Sequence, residues 1–366
     1  MIDRRLITSF DWKVLLLILL ITAVGILNIY SASASYRVVG TPYALKQFYW
    51  SVIGIGLILM ICSIDYHILE DVSYWCYGTI IIFLLLVLVA GKTSMGATRW
   101  LNLGLFTMQP SEPMKIVIII TLARYFTRNQ MPGLLGLRGI SIPLLILLLP
   151  AALIVKQPDL GTAIMVCLVA ATIMVAVGIR WSVILSLVLT SLPLIVIAWH
   201  FLLHTYQKNR ILNFLSPERD PLKSGYHLIQ SKIAVGSGGI FGKGFMHGTQ
   251  TQLRFLPEQH TDFAFSVFAE EWGLLGSVIV LILYLALVLW GLHVASRCND
   301  RFGTLLAVGV TAMLFWHIVI NMGMVIGLFP VVGVPLPFFS YGGTSMITSM
   351  VGAGILLNIS MRRFMF

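Results

Sequence analysis

The chain has 366 residues, of which 58% are hydrophobic and only 10% are charged, and its mean hydropathy is +0.94. No single soluble core can enclose so large an apolar fraction, so the composition excludes a soluble globular protein and predicts a polytopic membrane protein. The formal net charge of +10 does not indicate nucleic-acid binding, because the basic residues are scattered through loops, where Lys and Arg set membrane topology and contact anionic membrane lipid.

Ten apolar runs approach the roughly 20 residues that a helix needs to cross the hydrocarbon. They lie at 12–32, 47–66, 72–91, 112–127, 139–157, 159–179, 181–203, 262–294, 303–328 and 341–361. The fourth run is the shortest and contains several charged residues. The first run is too long for a signal peptide and has no obvious cleavage site, so we expect it to be retained. The predicted fold class is therefore all-α, a membrane bundle of about ten transmembrane helices.

The distribution of Lys and Arg favours a topology with both termini in the cytoplasm. With the N-terminus inside, the inner segments carry more of these residues than the short outer segments, by 11 to 6. Ten spans then place the long segment 204–261, between the seventh and eighth helices, outside. Since no repeat or linker separates a second unit, we expect residues 1–366 to form a single membrane domain with one large outer loop.

Three carboxylates stand at helix starts on the predicted outer face. Glu112 opens the fourth helix, Asp159 the sixth and Asp262 the eighth. Each also has a structural interpretation. Glu112 and Lys115 are three residues apart and can form an ion pair, whereas the two aspartates can cap their helices. Because ionisable groups in a membrane are costly, their convergence on one face favours an outward cavity that binds a polar substrate.

Two irregular segments allow more than one interpretation. Residues 236–244 are rich in glycine and contain Lys243, a composition able to bind a phosphate, but the sequence favours a flexible loop here because the segment is not a Walker A pattern and no strand precedes it. The residues just before this segment, 226–235, have the apolar spacing of an amphipathic helix that lies near the surface. The second irregular segment is nearer the C-terminus. Residues 327–345 combine three prolines with apolar sequence. Non-helical backbone at membrane depth must be buried or line a cavity, so we expect a re-entrant cavity wall, with an apolar hairpin as the alternative.

Six motifs, in order, resemble those of a known family. They are Gly96-Ala97-Thr98-Arg99-Trp100, Gln109-Pro110-Ser111-Glu112, Gln157-Pro158-Asp159-Leu160-Gly161-Thr162, Gly236-Ser237-Gly238-Gly239, Phe255-Leu256-Pro257-Glu258 with Thr261-Asp262-Phe263, and Pro335-Leu336-Pro337-Phe338 with Ser340-Tyr341-Gly342-Gly343. Together they resemble the shape, elongation, division and sporulation (SEDS) family over essentially the whole chain. The short N-terminal tail is most similar to the elongation members rather than the division members.

The resemblance implies a peptidoglycan glycosyltransferase of the bacterial inner membrane that polymerises lipid II during cell-wall elongation and maintains rod shape. Its active site would face the periplasm, and its partners would be a class B penicillin-binding protein and the nascent undecaprenyl-diphosphate-linked strand. The family's catalytic aspartate falls on Asp262, its acid–base pair on Glu112 and Lys115, and its Gln-Pro-Asp acid on Asp159. The further candidates for substrate binding are Arg210, Lys243, Glu258 and His260.

The residues and the resemblance together predict an inverting mechanism. Asp262 is expected to act as general base on the 4-hydroxyl of the acceptor N-acetylglucosamine, which attacks the anomeric carbon of the donor N-acetylmuramic acid. The departing prenyl diphosphate needs positive charge, either from Arg210, Lys243 or Lys115, or from a divalent cation such as Mg²⁺ or Mn²⁺. The four cysteines have no metal-binding spacing.

A lipid II flippase is the main alternative function, with Asp262 and Lys115 as gating charges. The clustering of the unusual residues on one predicted face disfavours it, because transporters place matched broken helices in two halves. An inactive scaffold for a wall-synthesis partner would leave the outer acids without a role.

Overall fold

The computed structural model describes residues 9–34, 42–94, 97–102, 104, 107–129, 133–202, 205–216, 224–256 and 258–362. Gly96 and Pro257 of the predicted motifs lie outside these ranges. Within them the chain is mostly helical. The α-helices are α1 Trp12–Ala34, α2 Tyr43–Ser63, α3 His67–Ala90, α4 Ser111–Arg128, α5 Leu137–Lys156, α6 Leu160–Val177, α7 Trp181–Ile197, α8 Thr205–Leu215, α9 Ser224–Ser237, α10 Thr249–Gln252, α11 Ala264–Arg297, α12 Arg301–Ile326 and α13 Gly343–Arg362.

Each of the ten predicted apolar runs contains one long helix, from α1 to α7 and from α11 to α13. Of the described helices, eight are long and apolar enough to cross a membrane, namely α1, α2, α3, α5, α6, α11, α12 and α13. Helix α7 is shorter and continues as a π-helical turn, Ala198–Leu202. Helix α4 carries more charge, yet most of its residues are buried. It packs against α3, α6 and α12 and so lies inside the bundle.

A small antiparallel sheet joins α3 to α4 and was not predicted. Its strands are β1 Lys92–Ser94, β2 Ala97–Asn102 and β3 Thr107–Met108, in the order β1-β2-β3. The all-α prediction is therefore correct for the bundle and incomplete for this connection. Strands of two to six residues are too short for an alternating apolar pattern to be recognised in the sequence. The sheet matters for function because β2 carries three residues, Arg99, Trp100 and Asn102, to the cavity described below.

Helix α11 contains a bend at Gly273, where φ is 65° and ψ is −161°. This backbone conformation is essentially restricted to glycine. A Cβ at this position would lie 2.3 Å from the amide nitrogen of Gly242. The amide of Leu274 donates to the carbonyl of Gly239 at 2.9 Å. Residues 236–244 are thus bonded to the bend of α11, which places them beside the first turns of that helix.

Candidate functional site

A cavity of about 650 Å³ opens where α4, α6 and α13 begin. This volume lies within the roughly 300–1,000 Å³ of small-molecule sites. Its walls come from α2, β2, the first turns of α4 and α6, the loop before α11, residues 333–335 and the start of α13. Segments that are far apart in sequence therefore meet at one site, on the face where the three predicted carboxylates lie.

Asp262 lies on the cavity wall, two residues before α11 begins. It does not cap the helix, because Phe263 holds the cap position without a side-chain hydrogen bond. Its Oδ2 lies beside Gly333, where an added Cβ would be 3.2 Å away. The Nδ2 of Asn321 donates to the carbonyl of Asp262 at 3.0 Å and to that of Val334 at 2.7 Å. One buried amide in α12 thus fixes both the Asp262 loop and the opposing wall.

The pKa of the Asp262 carboxyl is raised to about 6. Burial is the main cause, because the charged form loses hydration, and the negative charge of Glu258 adds to it. The guanidinium groups of Arg210 and Arg99 act in the opposite direction. The residue precedes α11 and lies outside the membrane-spanning segments. At neutral pH most of the carboxyl is therefore ionised and able to accept a proton.

Asp159 both caps α6 and lines the cavity. Its Oδ1 accepts a hydrogen bond from the amide of Thr162 at 3.3 Å. Its Oδ2 accepts from the Thr162 hydroxyl at 2.9 Å, from Gln109 Nε2 at 2.7 Å and from the Ser111 hydroxyl at 3.3 Å. The guanidinium of Arg99 lies 3.9 Å from Oδ1. The capping interpretation is correct, and the same carboxylate ties β2 and α4 to α6.

Glu112 and Lys115 form a buried ion pair at 2.8 Å, with side chains 6% and 2% exposed. The Lys115 ammonium also lies 2.8 Å from Nε2 of His317 in α12. Because Nδ1 of His317 lies 2.7 Å from the carbonyl of Met313 and donates to it, Nε2 holds a lone pair and accepts from Lys115. Both members of the pair line the cavity, and Glu112 Oε2 is buried without a hydrogen-bond partner.

The structure places Lys243 and Arg210 away from the cavity lining. The ammonium of Lys243 forms an ion pair at 2.7 Å with Glu270, which is completely buried in α11. Arg210 borders a separate small hollow together with Val331. Lys243 therefore fastens residues 236–244 to α11, and Arg210 reaches the site through its electrostatic effect on Asp262.

Glu258 and His260 lie on the loop that carries Asp262 rather than on the cavity lining. The imidazole of His260 stacks on Tyr43 with ring centroids 4.3 Å apart, and its carbonyl accepts from the amide of Tyr341 at 2.9 Å. The carboxylate of Glu258 accepts from the Thr261 hydroxyl at 3.2 Å. These contacts hold the loop against α2 and against the segment before α13.

The predicted cavity wall at residues 327–345 lies where expected. Residues 327–342 contain no helix or strand, and Val334, Leu336 and Phe338 are buried. Gly333, Val334 and Tyr341 line the cavity. Non-helical backbone thus occurs here inside the protein, as its hydrogen-bonding groups require.

The described side chains do not form a ready metal site. No three His, Cys, Asp or Glu residues in the described ranges lie close enough together to hold a metal ion. The carboxylates of Glu112 and Asp159 are held by their own partners.

Several residues on the cavity were not predicted as site residues from the sequence. They include Lys46, Trp50, Arg99, Trp100 and Tyr341. Arg99, Trp100 and Tyr341 belong to the motifs that resemble the family, so the motifs could have indicated them as site residues. Lys46 stands in none of these motifs.

Comparisons with known proteins agree on one family. A model of the FtsW/RodA/SpoVE family, described as cell cycle protein, matches residues 11–364. The chain is 43% identical to the peptidoglycan glycosyltransferase MrdB of Escherichia coli K12, covering 93% of this chain and 92% of the relative. It is 35% identical to the peptidoglycan glycosyltransferase RodA of Treponema pallidum, covering 98% of this chain and 99% of the relative.

Two solved structures share the fold. One, described as showing structural coordination of polymerization and crosslinking by a peptidoglycan synthase complex, matches with a TM-score of 0.83 and 30% identity over 98% of this chain and 99% of that chain. The other is the rod shape determining protein RodA of Thermus thermophilus, with a TM-score of 0.72 and 28% identity over 97% of this chain and 98% of that chain.

Proposed function

The chain belongs to the FtsW/RodA/SpoVE family and is a peptidoglycan glycosyltransferase, and we propose that Asp262 is the general base of its reaction on lipid II. One observation carries the proposal. Of the three cavity carboxylates, those of Asp159 and Glu112 accept hydrogen bonds from neighbouring side chains. No described residue donates a hydrogen bond to the Asp262 carboxylate, although it lies on the cavity with a pKa of about 6. It is therefore the carboxylate available to a substrate.

In the proposed reaction Asp262 accepts the proton of the 4-hydroxyl of the acceptor N-acetylglucosamine. The resulting oxygen attacks the anomeric carbon of the donor N-acetylmuramic acid while the bond to the prenyl diphosphate breaks. Attack from the opposite side inverts the α-linked diphosphate into a β-1,4 bond. A diphosphate is already a good leaving group, so one carboxylate suffices where glycoside hydrolysis uses two. A positioned base contributes about 10²–10⁴-fold to such a step.

The chain is an integral inner-membrane protein, and its finer topology is part of the proposal. Ten helices cross the membrane, both termini face the cytoplasm, and the cavity and residues 204–261 face the periplasm. The exposed side chain of Leu253 offers a test. In intact spheroplasts an impermeant maleimide should label Leu253→Cys above the background of the native cysteines in the unmodified chain. Labelling only after permeabilisation would place this loop in the cytoplasm.

The partner of this chain in the proposal is a crosslinking enzyme. The matched structure concerns a complex that coordinates polymerisation with crosslinking. A class B penicillin-binding protein, which performs crosslinking, is the corresponding partner of this chain, and the pair acts in cell-wall elongation and rod shape. Co-purification of the two proteins from the native membrane tests this assignment, and its absence under conditions that preserve other complexes would contradict it.

Lipid II in detergent separates the enzyme from a flippase. Purified protein with its partner should convert lipid II micelles into glycan strands, because no translocation is needed when both faces are accessible. A flippase would leave lipid II unpolymerised in detergent. The labelled strands are resolved by gel electrophoresis with and without muramidase treatment, and their length distribution is the measurement. Strands that survive muramidase would not be β-1,4-linked glycan and would contradict the substrate assignment.

A further inference from the structure

The three basic residues that line the cavity differ in what they already bind. Lys115 is held by Glu112 and His317. Arg99 lies near Asp159 and donates to the carbonyl of Pro158. Lys46 forms no ion pair with a described carboxylate, and its contact is with an aromatic ring, that of Tyr43, at 5.9 Å from the centroid. Its ammonium is thus the one cavity cation, within the described part of the chain, whose charge is not offset by an acid.

Lys46 lies where the cavity meets the outer surface of α2. Along the same helix Leu45, Phe48 and Tyr49 are exposed apolar or aromatic residues, as expected of a face that contacts lipid. Its neighbour Gln47 is completely buried. A ligand bound to Lys46 can therefore have its polar part in the cavity and an apolar part along the outside of α2.

The start of α13 brings hydroxyl groups to the same cavity. Thr344 and Ser345 line it, and no described residue hydrogen-bonds to either hydroxyl. Gln47 fixes this turn against α2, because its Nε2 donates to the carbonyl of Ser340 at 3.0 Å and its Oε1 accepts from the amide of Gly342 at 3.3 Å. The residue next to Lys46 thus holds the hydroxyl-bearing segment in place.

We propose that Lys46, assisted by Thr344 and Ser345, binds the diphosphate of a prenyl-linked sugar, with the prenyl chain along the exposed face of α2. The substrate class rests on the proposed function. An ammonium and hydroxyl donors match phosphate oxygens, and hydrogen bonds between charged groups are the stronger ones. The other basic candidates from the sequence, Lys243 and Arg210, do not line the cavity, so Lys46 replaces them in this role.

The test measures binding of two lipids, undecaprenyl diphosphate and uncharged undecaprenol, to the purified protein with its partner in detergent. Asp262→Asn serves as the background, so that binding is read without turnover. Lys46→Gln should weaken undecaprenyl diphosphate binding about 10-fold or more, the loss expected for a charge-assisted contact. It should leave undecaprenol binding unchanged, and Lys46→Arg should retain most of the affinity for the diphosphate.

Three results decide the proposal. Unchanged diphosphate binding by Lys46→Gln overturns it, and so does an equal loss for the two lipids, which would indicate a damaged apolar surface. A loss confined to the diphosphate, with Thr344→Val and Ser345→Ala each adding a smaller one, supports it. Because this readout does not need catalysis, it is independent of Asp262: if Asp262→Asn still polymerised lipid II, the general-base proposal would fail while the Lys46 result stood.

Discussion

At the scale of single residues, the three carboxylates on the cavity differ in the groups that bind them. Asp159 is surrounded by donors that fix α4 and α6. Glu112 is paired with a buried lysine. Among the described residues, a single side chain holds Asp262, that of Asn321, and it binds the backbone carbonyl, which leaves the carboxylate facing the cavity. A base needs a fixed position and an unoccupied carboxylate together, and Asp262 has both.

The raised pKa of Asp262 predicts an acidic limb in the pH dependence of kcat/KM. A base works in its ionised form, so activity should fall as pH drops through about 6, approaching tenfold per pH unit below it. The measurement is the initial rate of lipid II polymerisation at low substrate concentration, from pH 5 to 8. A flat profile across this range would contradict the assignment.

Two neighbouring charges should move that limb in opposite directions. The negative charge of Glu258 raises the pKa of Asp262, so Glu258→Gln should shift the acidic limb to lower pH. The positive charge of Arg210 lowers that pKa, so Arg210→Gln should shift the limb to higher pH. The same rate profiles serve as the readout. Shifts of the same sign in both variants would show that the limb does not report Asp262.

The buried pair of Glu112 and Lys115 predicts a loss of stability when one partner is removed. Lys115→Met leaves the Glu112 carboxylate buried without compensation, which costs about 3–5 kcal/mol. We expect a lower melting temperature in detergent, and partial recovery in the double variant Glu112→Gln/Lys115→Met.

A double variant in which the two residues of this pair are exchanged distinguishes a structural role of the pair from a role in substrate binding. Glu112→Lys/Lys115→Glu restores opposite charges and should regain melting temperature. Polymerisation at the unmodified rate would show that the pair has a structural role only. A stable but inactive exchanged pair would show that the positions of the charges matter to the substrate.

At the scale of elements, the sequence predicted the long helices and the non-helical wall at 327–345, but it did not predict the sheet between α3 and α4. Each apolar run near the membrane thickness coincides with a described helix, and eight of these helices are long and apolar enough to cross a membrane. Burial in lipid imposes a length that is visible in composition. The predicted surface helix at 226–235 lies within α9. The sheet at 92–108 was missed, since its strands are too short to show a pattern. The phosphate-binding interpretation of 236–244 finds no support in the fold, where Lys243 is bonded to Glu270.

The bend of α11 predicts an effect of Gly273→Ala. The backbone conformation at Gly273 disfavours a side chain by about 1–3 kcal/mol, and the added Cβ would also collide with Gly242. We expect a lower melting temperature and reduced polymerisation, because the bend holds the start of α11 beside Asp262. Gly78 is the matched control: it lies in α3 with open space around it, so Gly78→Ala should be neutral or stabilise by about 0.5–1 kcal/mol. Equal effects of the two changes would contradict this account.

At the scale of the whole molecule, the site is built by contacts between distant parts of the chain. Lys115 meets His317, and Asn321 meets Asp262. Gln47 of α2 holds the turn before α13. Local patterns cannot indicate such pairs, because a helix period shows which face is apolar and not which helix lies opposite. The motifs nevertheless pointed to Asp262, Glu112, Lys115 and Asp159, which all line one cavity.

The central claim is that a polar cavity in this bundle presents Asp262 as the base for glycan polymerisation. Its most direct test is the rate of lipid II polymerisation by Asp262→Asn, compared with the unmodified protein at equal folded concentration and with its partner present. Asparagine keeps the size of the side chain and removes its ability to take a proton, so we predict a rate lower by about 100-fold or more. Glycan strands formed at the unmodified rate would contradict the claim.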